Sequence, residues 1–210
     1  MTRLLTTTVA ALAATALIAV AAPVAGASIG AHTSRPATHR AAHGHSSAAH
    51  RACPHARLRP TRANLALIRA ATLCLINRER AAHGERALRG NKRLRRAAQA
   101  HSASMAEEDY FEHVGPRGQT PLARMRSVGY ISSSRVGYEV GENIAWGTLW
   151  LASPRAIVAA WMASPGHRTN ILDPHYRETG IGVSSHPPAS LAHGQPGAIY
   201  TQDFGVIIAG

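Results

Sequence analysis

GENIAW, residues 141–146, opens the stretch of sequence that decides the fold, and SPGHRTNIL, residues 164–172, closes it. Residues 154–163 between these motifs are apolar and predict a helix, so an acid and a histidine flank one helix. Each lies beside a glycine, which lets the backbone turn sharply and approach its neighbours closely. Another histidine, His113, precedes them. The pattern predicts that His113, Glu142 and His167 converge in one cleft.

The three cleft residues support two kinds of chemistry. Two imidazoles and a carboxylate can hold a divalent cation such as Zn²⁺ and leave positions open for water. They can equally transfer protons without a metal, because histidine titrates near neutral pH. His113, Glu142 and His167 are therefore both the candidate catalytic residues and the candidate metal ligands. The sequence contains no nucleophile elbow, HExxH helix, phosphate loop or dinucleotide fingerprint, which excludes those classes of site.

Residues 1–27 have the pattern of a secretory signal peptide. Arg3 precedes a largely apolar run, 4–24, and the small residues Ala25-Gly26-Ala27 suit a signal peptidase. A membrane anchor is the weaker alternative, because the run is barely long enough to span and is diluted by threonines. We expect a secreted, extracellular chain that starts near Ser28 and keeps no stable membrane span after cleavage.

Residues 28–60 predict a disordered tether, and residues 61–208 predict the folded domain. The tether is rich in Ala, His, Ser and Arg and has almost no apolar bulk, so it cannot bury enough surface to offset its ordering entropy. Its histidines could bind transition metals loosely, but their irregular spacing favours plain solvation.

The two cysteines, Cys53 and Cys74, predict a disulfide, which an oxidising compartment would preserve. The alternative is a pair of free thiols. Neither cysteine has a partner at metal-ligand spacing, which argues against a zinc–cysteine site. A bridge would join the end of the tether to the first predicted helix.

Positive charge is concentrated early in the chain. Residues 28–96 hold fifteen Arg or Lys and two Glu, a net charge of +13, whereas residues 97–210 carry a net −2. We expect the basic segment to meet an anionic cell-wall polymer or lipid surface rather than nucleic acid. The alternative is a solvated basic face without a specific partner.

Helical patterns come first and strand patterns last. Helices are predicted over 61–83, from Asn91 to about Glu108, from Pro121 to near Gly129, and from Pro154 until Pro165-Gly166 breaks the pattern. Strands are predicted at 180–184 and 198–206. Without a βαβ rhythm, this order indicates an α+β fold around an antiparallel sheet. His101 lies on the apolar face of the second helix, where a hydrogen-bonded core histidine is favoured over a ligand.

The motifs, taken in order, resemble those of the CAP superfamily: the cysteine-rich secretory, antigen 5 and pathogenesis-related proteins, or SCP domains. The resemblance extends over residues 65–206 and is carried by LINRER (75–80), AHS (100–102), YFEH (110–113), GENIA (141–145), Trp161, SPGHRTNIL (164–172), GIGV (180–183) and TQDFG (201–205). It is closest to the small exported bacterial branch.

This resemblance implies a three-layer α-β-α sandwich with a central antiparallel sheet. It also implies a cleft with two histidines and two acids, in which His113, Glu142 and His167 match three members. The second acid is replaced, at Ser164 in this chain. Members of the family are linked to sterol or fatty-acid binding, metal binding, proteolysis and cell-wall roles. We therefore expect a cell-envelope protein that binds a ligand or metal; the alternatives are a peptide or cell-wall hydrolase using Glu142 and histidine, and a lipid-binding protein.

Overall fold

A computed structural model describes residues 52–133 and 135–208 of the chain. The signal peptide predicted over 1–27 and the first part of the tether predicted over 28–60, residues 28–51, lie outside these residues. Residues 52–60, placed in the tether from their composition, lie against the domain instead. Cys53 and Ala56 pack on the core, and the Arg155 amide donates a hydrogen bond to the Ala56 carbonyl at 2.8 Å.

The described residues form helices and strands in mixed order. In sequence they are α1 (Leu65–Ala82), β1 (Arg89–Gly90), α2 (Lys92–Glu107), α3 (Pro121–Ser127), β2 (Gly137–Thr148), a 3₁₀ helix (Leu149–Ala152), α4 (Pro154–Ala163), α5 (Pro165–Leu172), β3 (Glu178–Ser184), α6 (Ala189–Ala192) and β4 (Gly197–Ile208). None of the helices in this part of the chain combines the length and apolarity needed to span a membrane.

The strands form one sheet in the order β1-β3-β4-β2. β4 pairs antiparallel with both β3 and β2, so the predicted antiparallel sheet is confirmed for its three long strands. The two-residue β1 runs parallel to β3 at one edge of the sheet. The long connection that a parallel pair requires contains several helices and the strand β2. Glu142 lies directly opposite Asp203 in the β2–β4 register.

Helices cover both faces of this sheet, which confirms the three-layer sandwich. Because side chains alternate along a strand, β4 gives Tyr200 and Phe204 to one face and Ile199 to the other. The first face packs with α1, α4 and α5 in the largest core cluster. α2 and α3 pack on the second face. Glu142 and Asp203 belong to that second face.

Side-chain oxygens cap the starts of three helices, α2, α3 and α4. The Asn91 side chain accepts hydrogen bonds from the Arg93 and Leu94 amides at 2.8 and 3.2 Å, which fixes the start of α2. Thr120 and Ser153 cap α3 and α4 in the same way, each followed by proline at the first helical position.

Several elements differ from the sequence prediction: α1 begins at Leu65 rather than at 61, and β1, the 3₁₀ helix and α6 were not predicted. The Pro165-Gly166 break ends α4 as expected, but Pro165 also begins α5, because its missing N–H costs nothing at a first helical position. Residues 137–148, for which no strand was predicted, form the twelve-residue strand β2.

α2 lies unusually close to β3, which brings its histidine to the sheet. A Cβ atom at Gly180 would overlap the backbone of Leu94 and Arg95, and one at Gly182 would overlap the backbone of Ala98. Only glycine permits this approach. His101 therefore reaches the second face of the sheet beside Glu142.

The predicted disulfide between Cys53 and Cys74 is present, with a sequence separation of 21 residues. It joins the segment before α1 to the middle of that helix, and no free cysteine occurs among the described residues.

Candidate functional site

Glu142 and His113 are brought together as predicted. His113 lies in the loop after α2, and its Nδ1 is 2.8 Å from Glu142 Oε1. The Glu142 side chain is 2% exposed and that of His113 is 31% exposed. The pair is therefore a buried carboxylate that holds an imidazole at the surface.

Arg124 of α3 occupies the other oxygen of the same carboxylate. Its guanidinium donates to Glu142 Oε2 at 2.6 Å and to the His113 carbonyl at 3.0 Å. A further guanidinium nitrogen donates to the Gln119 carbonyl at 2.6 Å. Arg124 thus compensates the buried charge of Glu142 and also fixes the loop that carries His113.

The pKa of Glu142 reflects opposing effects. Burial raises it, but the His113 hydrogen bond and the charge of Arg124 lower it by more, so the pKa lies below its ordinary value. Glu142 is therefore ionised at neutral pH. An ionised carboxylate can only accept, so His113 donates through Nδ1–H, and in the neutral ring Nε2 is the acceptor.

His101 is both a core histidine and a neighbour of the site. It is fully buried, and its Nε2 lies 3.0 Å from the Glu112 carbonyl, as expected for a hydrogen-bonded core residue. The same Nε2 lies 3.9 Å from Glu142 Oε1. Burial lowers the pKa of His101 to about 4, although Glu142 acts in the opposite direction. His101 is therefore a neutral donor at physiological pH.

Asp203 of β4 adds a second carboxyl group to the cluster. It is fully buried, and neither of its oxygens has a hydrogen-bond partner among the described residues. Burial and then the neighbouring Glu142 raise its pKa well above the ordinary value, against a smaller effect of Arg124. The raised pKa favours the protonated form of Asp203, which lies directly opposite Glu142 in the β2–β4 register.

His167 does not join the carboxylate cluster directly. It lies in α5, on the other side of the sheet, where the Asn143 side chain donates to its backbone carbonyl at 3.1 Å. Its ring makes no hydrogen bond or ion pair with a residue in the described ranges. Burial and then the proximity of His113 lower the pKa of His167. The structure thus brings His113 and Glu142 into contact, with His167 near the former but unbonded.

The residues as placed do not fit a divalent cation. Within 52–133 and 135–208, no group of three or more His, Cys, Asp or Glu side chains is arranged to hold a metal ion. Both Glu142 oxygens already accept charged or polar hydrogens, and a metal would have to displace Arg124 or His113. The metal site therefore stays a prediction.

Sequence reasoning missed Arg124 and Asp203 as members of the site. Asp203 had a signal, because it is a carboxyl group in the middle of a predicted strand, where burial is costly. Arg124 lies in a short helix whose pattern resembles any solvated helix, so its burial could be found only from the structure.

Comparison with known proteins gives one family. Residues 73–204 match the model of the cysteine-rich secretory protein family, CAP. The chain is 35% identical over 131 residues to the uncharacterized protein YkwD of Bacillus subtilis, covering 62% of this chain and 44% of that protein. It is 32% identical over 111 residues to the uncharacterized membrane protein YlbC of the same organism, covering 53% and 30%. The chain thus spans less than half of either relative.

Solved structures agree with the fold. An extracellular protein containing an SCP domain, from Bacillus anthracis, superimposes with a TM-score of 0.53 at 26% identity, covering 69% of this chain and 43% of that chain. An outer surface protein of Borrelia burgdorferi superimposes with a TM-score of 0.54 at 16% identity, covering 72% and 96%. The second likeness concerns the fold alone.

Proposed function

The chain belongs to the cysteine-rich secretory protein (CAP) family, and from that membership we propose that it is an exported binding module of the bacterial cell envelope. Its ligand meets the exposed edge of His113. The extracellular setting of the Bacillus anthracis relative supports the proposed location. The leader-like sequence of residues 1–27 supports it independently.

The binding proposal rests on one observation, the hydrogen-bond partners and burial of Glu142. Its two oxygens are occupied by His113 and Arg124, and its side chain is almost fully buried. Glu142 therefore cannot meet a ligand, but it fixes the ring and the tautomer of His113. The Nε2 lone pair of neutral His113, which has no hydrogen bond within the described residues, is available to a hydroxyl or ammonium donor. Such donors are abundant in cell-wall sugars and peptides.

Binding can be tested with soluble peptidoglycan fragments as the probe. We expect the imidazole ¹⁵N resonances of His113 to shift on titration, and we expect the affinity to fall about fivefold or more in His113→Ala, because a lost hydrogen bond costs about 1 kcal/mol. His175→Ala, at an exposed histidine outside the cluster, is the matched control. Equal affinities of wild type and His113→Ala would refute the proposal.

A hydrolase is the second candidate, because one observation favours it. A histidine that is oriented by a carboxylate acts as the general base in many hydrolases and can activate water. No serine, threonine or cysteine side chain in the described ranges hydrogen-bonds to His113, so water would be the nucleophile. Turnover of cell-wall or peptide substrates that disappears in Glu142→Gln would favour this candidate over binding alone.

Metal and lipid ligands stay predictions with simple tests. Calorimetry with Zn²⁺ should give the same small heats for wild type and for His113→Ala/His167→Ala if Glu142 remains paired with Arg124. A heat that the double variant loses would revive the metal site. Native mass spectrometry of the purified protein would detect a retained acyl chain.

A further inference from the structure

The 3₁₀ helix after β2 exposes three large apolar side chains in a row. Leu149 is 41% exposed, Trp150 is 70% exposed and Leu151 is 47% exposed. We call residues 149–151 the apolar tip. It is the longest run of consecutive exposed large apolar side chains in the described part of the chain. Its position at the end of a paired strand makes it a feature of the folded domain.

The tip is held in an unfavourable backbone conformation. Leu149 has a φ of 53°, in the left-handed region that a γ-branched residue rarely adopts. Its amide donates to the Pro196 carbonyl at 2.8 Å, and the Trp150 carbonyl accepts from the Ser153 amide at 3.2 Å. A Cβ atom at Gly147 would crowd the Leu151 carbonyl at 2.5 Å, so the tip folds tightly back on β2. Strain that is held in place at an exposed apolar turn points to a surface function.

A cationic depression lies at the start of α4, the helix that follows the tip along the chain. Arg155 follows Trp150 by five residues, in the first turn of α4, and contacts the segment before α1 through Ala56. Arg155, Arg57 and Arg78 line a depression of about 540 Å³, whose wall includes Leu58, Leu75 and Cys53. None of the three guanidinium groups makes an ion pair or a side-chain hydrogen bond with a described residue. We call this feature the arginine depression.

The surrounding helical layer carries more arginines than acids. Residues 52–78 and 143–172 contain seven arginines and no Asp or Glu, although Glu79 follows Arg78 directly in α1. These two segments supply most of α1, the apolar tip, α4 and α5, and α1 packs against α4. Positive charge therefore predominates around the depression, which favours an anionic partner.

We propose that the apolar tip and the arginine depression dock this domain on an anionic lipid bilayer. The arginines take lipid phosphates, and Trp150 with its flanking leucines enters the interface between headgroups and acyl chains. Tryptophan is suited to that interface, where its ring is partly apolar and its N–H stays wet. Two signals, one apolar and one electrostatic, are what stable peripheral binding requires.

Other occupants fit less well. A phosphate-bearing wall polymer would satisfy the arginines but would leave Trp150 and the two leucines without a partner. Residues 28–51 of this chain carry three arginines and no acid, so the arginine depression would repel them. The surface is also separate from His113, since the tip lies beyond the end of β2 and the depression lies on the α1–α4 layer.

Vesicle sedimentation with purified protein, its N-terminus defined by mass spectrometry, tests the proposal. We expect binding to phosphatidylglycerol–phosphatidylcholine vesicles that falls about 100-fold on pure phosphatidylcholine and weakens with salt. Arg57→Gln/Arg78→Gln/Arg155→Gln should weaken binding by about 100-fold, since each arginine near an anionic surface contributes roughly fivefold. Trp150→Ser should weaken it about tenfold.

Matched variants and fluorescence separate the alternatives. Arg93→Gln on α2 and Ile208→Ser, which is 48% exposed, should bind as wild type does. Trp161 is buried, so a blue shift of emission on anionic vesicles that disappears in Trp150→Phe would report insertion of the tip. His113→Ala should bind vesicles normally, which distinguishes this surface from the proposed ligand cleft.

Three results would overturn docking on lipid. The first is equal binding to neutral and anionic vesicles. The second is unchanged vesicle binding by Trp150→Ser and by the triple arginine variant, both folded by thermal melting. The third is binding to soluble polyphosphate at the affinity seen for vesicles and independent of Trp150, which would identify a polymer partner. The salt and vesicle-composition series use the wild type, so they decide the electrostatic part even if a variant fails to fold.

Discussion

Asp203 and Glu142 lie opposite each other in the sheet, yet their surroundings shift their pKa values in opposite directions. Arg124 and His113 bind the two oxygens of Glu142, whereas the oxygens of Asp203 have no hydrogen-bond partner among the described residues. Neighbouring buried carboxyl groups disfavour each other's ionisation. Of the two, Asp203 is therefore the one that favours the protonated form.

Asp203→Asn should preserve the cluster and change how stability depends on pH. The folded-state pKa of Asp203 is raised, so its favourable contribution is complete below the unfolded value and is lost as pH rises through the folded value. Asparagine has the shape of a protonated aspartic acid side chain and does not titrate. We expect the variant to gain stability relative to wild type as pH rises above about 4, the unfolded value, measured by urea denaturation. Asp203→Ala, which removes the polar group and leaves a cavity, should lose about 2 kcal/mol; a loss of that size in Asp203→Asn at neutral pH would contradict a preference for the protonated form.

His101 should make the protein sensitive to acid. Its folded-state pKa is lowered from 6.5 to about 4, so the unfolded chain takes up a proton first as pH falls. Stability from this residue is complete above pH 6.5 and declines towards pH 4, by about 3 kcal/mol in total. We expect the loss between these pH values to be smaller in His101→Gln than in wild type. An unchanged profile in His101→Gln would refute the assignment.

Sequence reasoning identified the histidine and the acid of the cleft, but not the buried residues around them. His113 and Glu142 stand out because polar residues beside glycines and turns suggest a site. Arg124 and Asp203 could not be assigned, because their roles depend on burial and on pairing between strands far apart in sequence. His167 belongs to α5, and its ring lies near His113 without a hydrogen bond to the cluster, so its place in the site stays a prediction.

At the scale of elements, the contact between α2 and β3 determines where His101 lies. Gly182→Ala should destabilise the fold by at least about 2 kcal/mol, because the new Cβ would overlap the Ala98 backbone and the helix would have to move. Gly166→Ala is the matched control, since a Cβ there meets nothing within 4 Å and alanine favours the start of α5. Thermal melts of the two variants, with the His101 ring resonances as a local probe, test this; a Gly182→Ala protein as stable as Gly166→Ala would contradict it.

Elements with capping signals were predictable, and those defined by partners were not. α2 and α4 begin where Asn91 and Ser153 supply side-chain oxygens to free amides. β2 is a strand because β4 lies beside it over twelve residue pairs, and its glycines and glutamates give a weak local strand preference. Its pairing partner is about 60 residues away, so tertiary context decided the structure.

For the domain as a whole, the disulfide extends the fold beyond the residues that match the family model. Cys53 lies 20 residues before the start of that match, yet it packs on the core and is bonded to Cys74 of α1. Closing a loop of this length contributes about 3 kcal/mol in the chain-entropy model. We expect Cys53→Ser/Cys74→Ser to lose that amount in denaturant melts.

Reduction provides the control for the disulfide. A thiol reductant should lower the stability of wild type to that of the double variant and leave the double variant unchanged. A reductant effect on the double variant would show that something other than the Cys53–Cys74 bond responds.

Before those two thiols join, the equilibrium constant for folding is smaller by a factor of about 150. For the export that we propose, a newly made chain in reducing surroundings is therefore open for more of the time and easier to translocate. Oxidation outside the cell then closes the loop and favours the folded state.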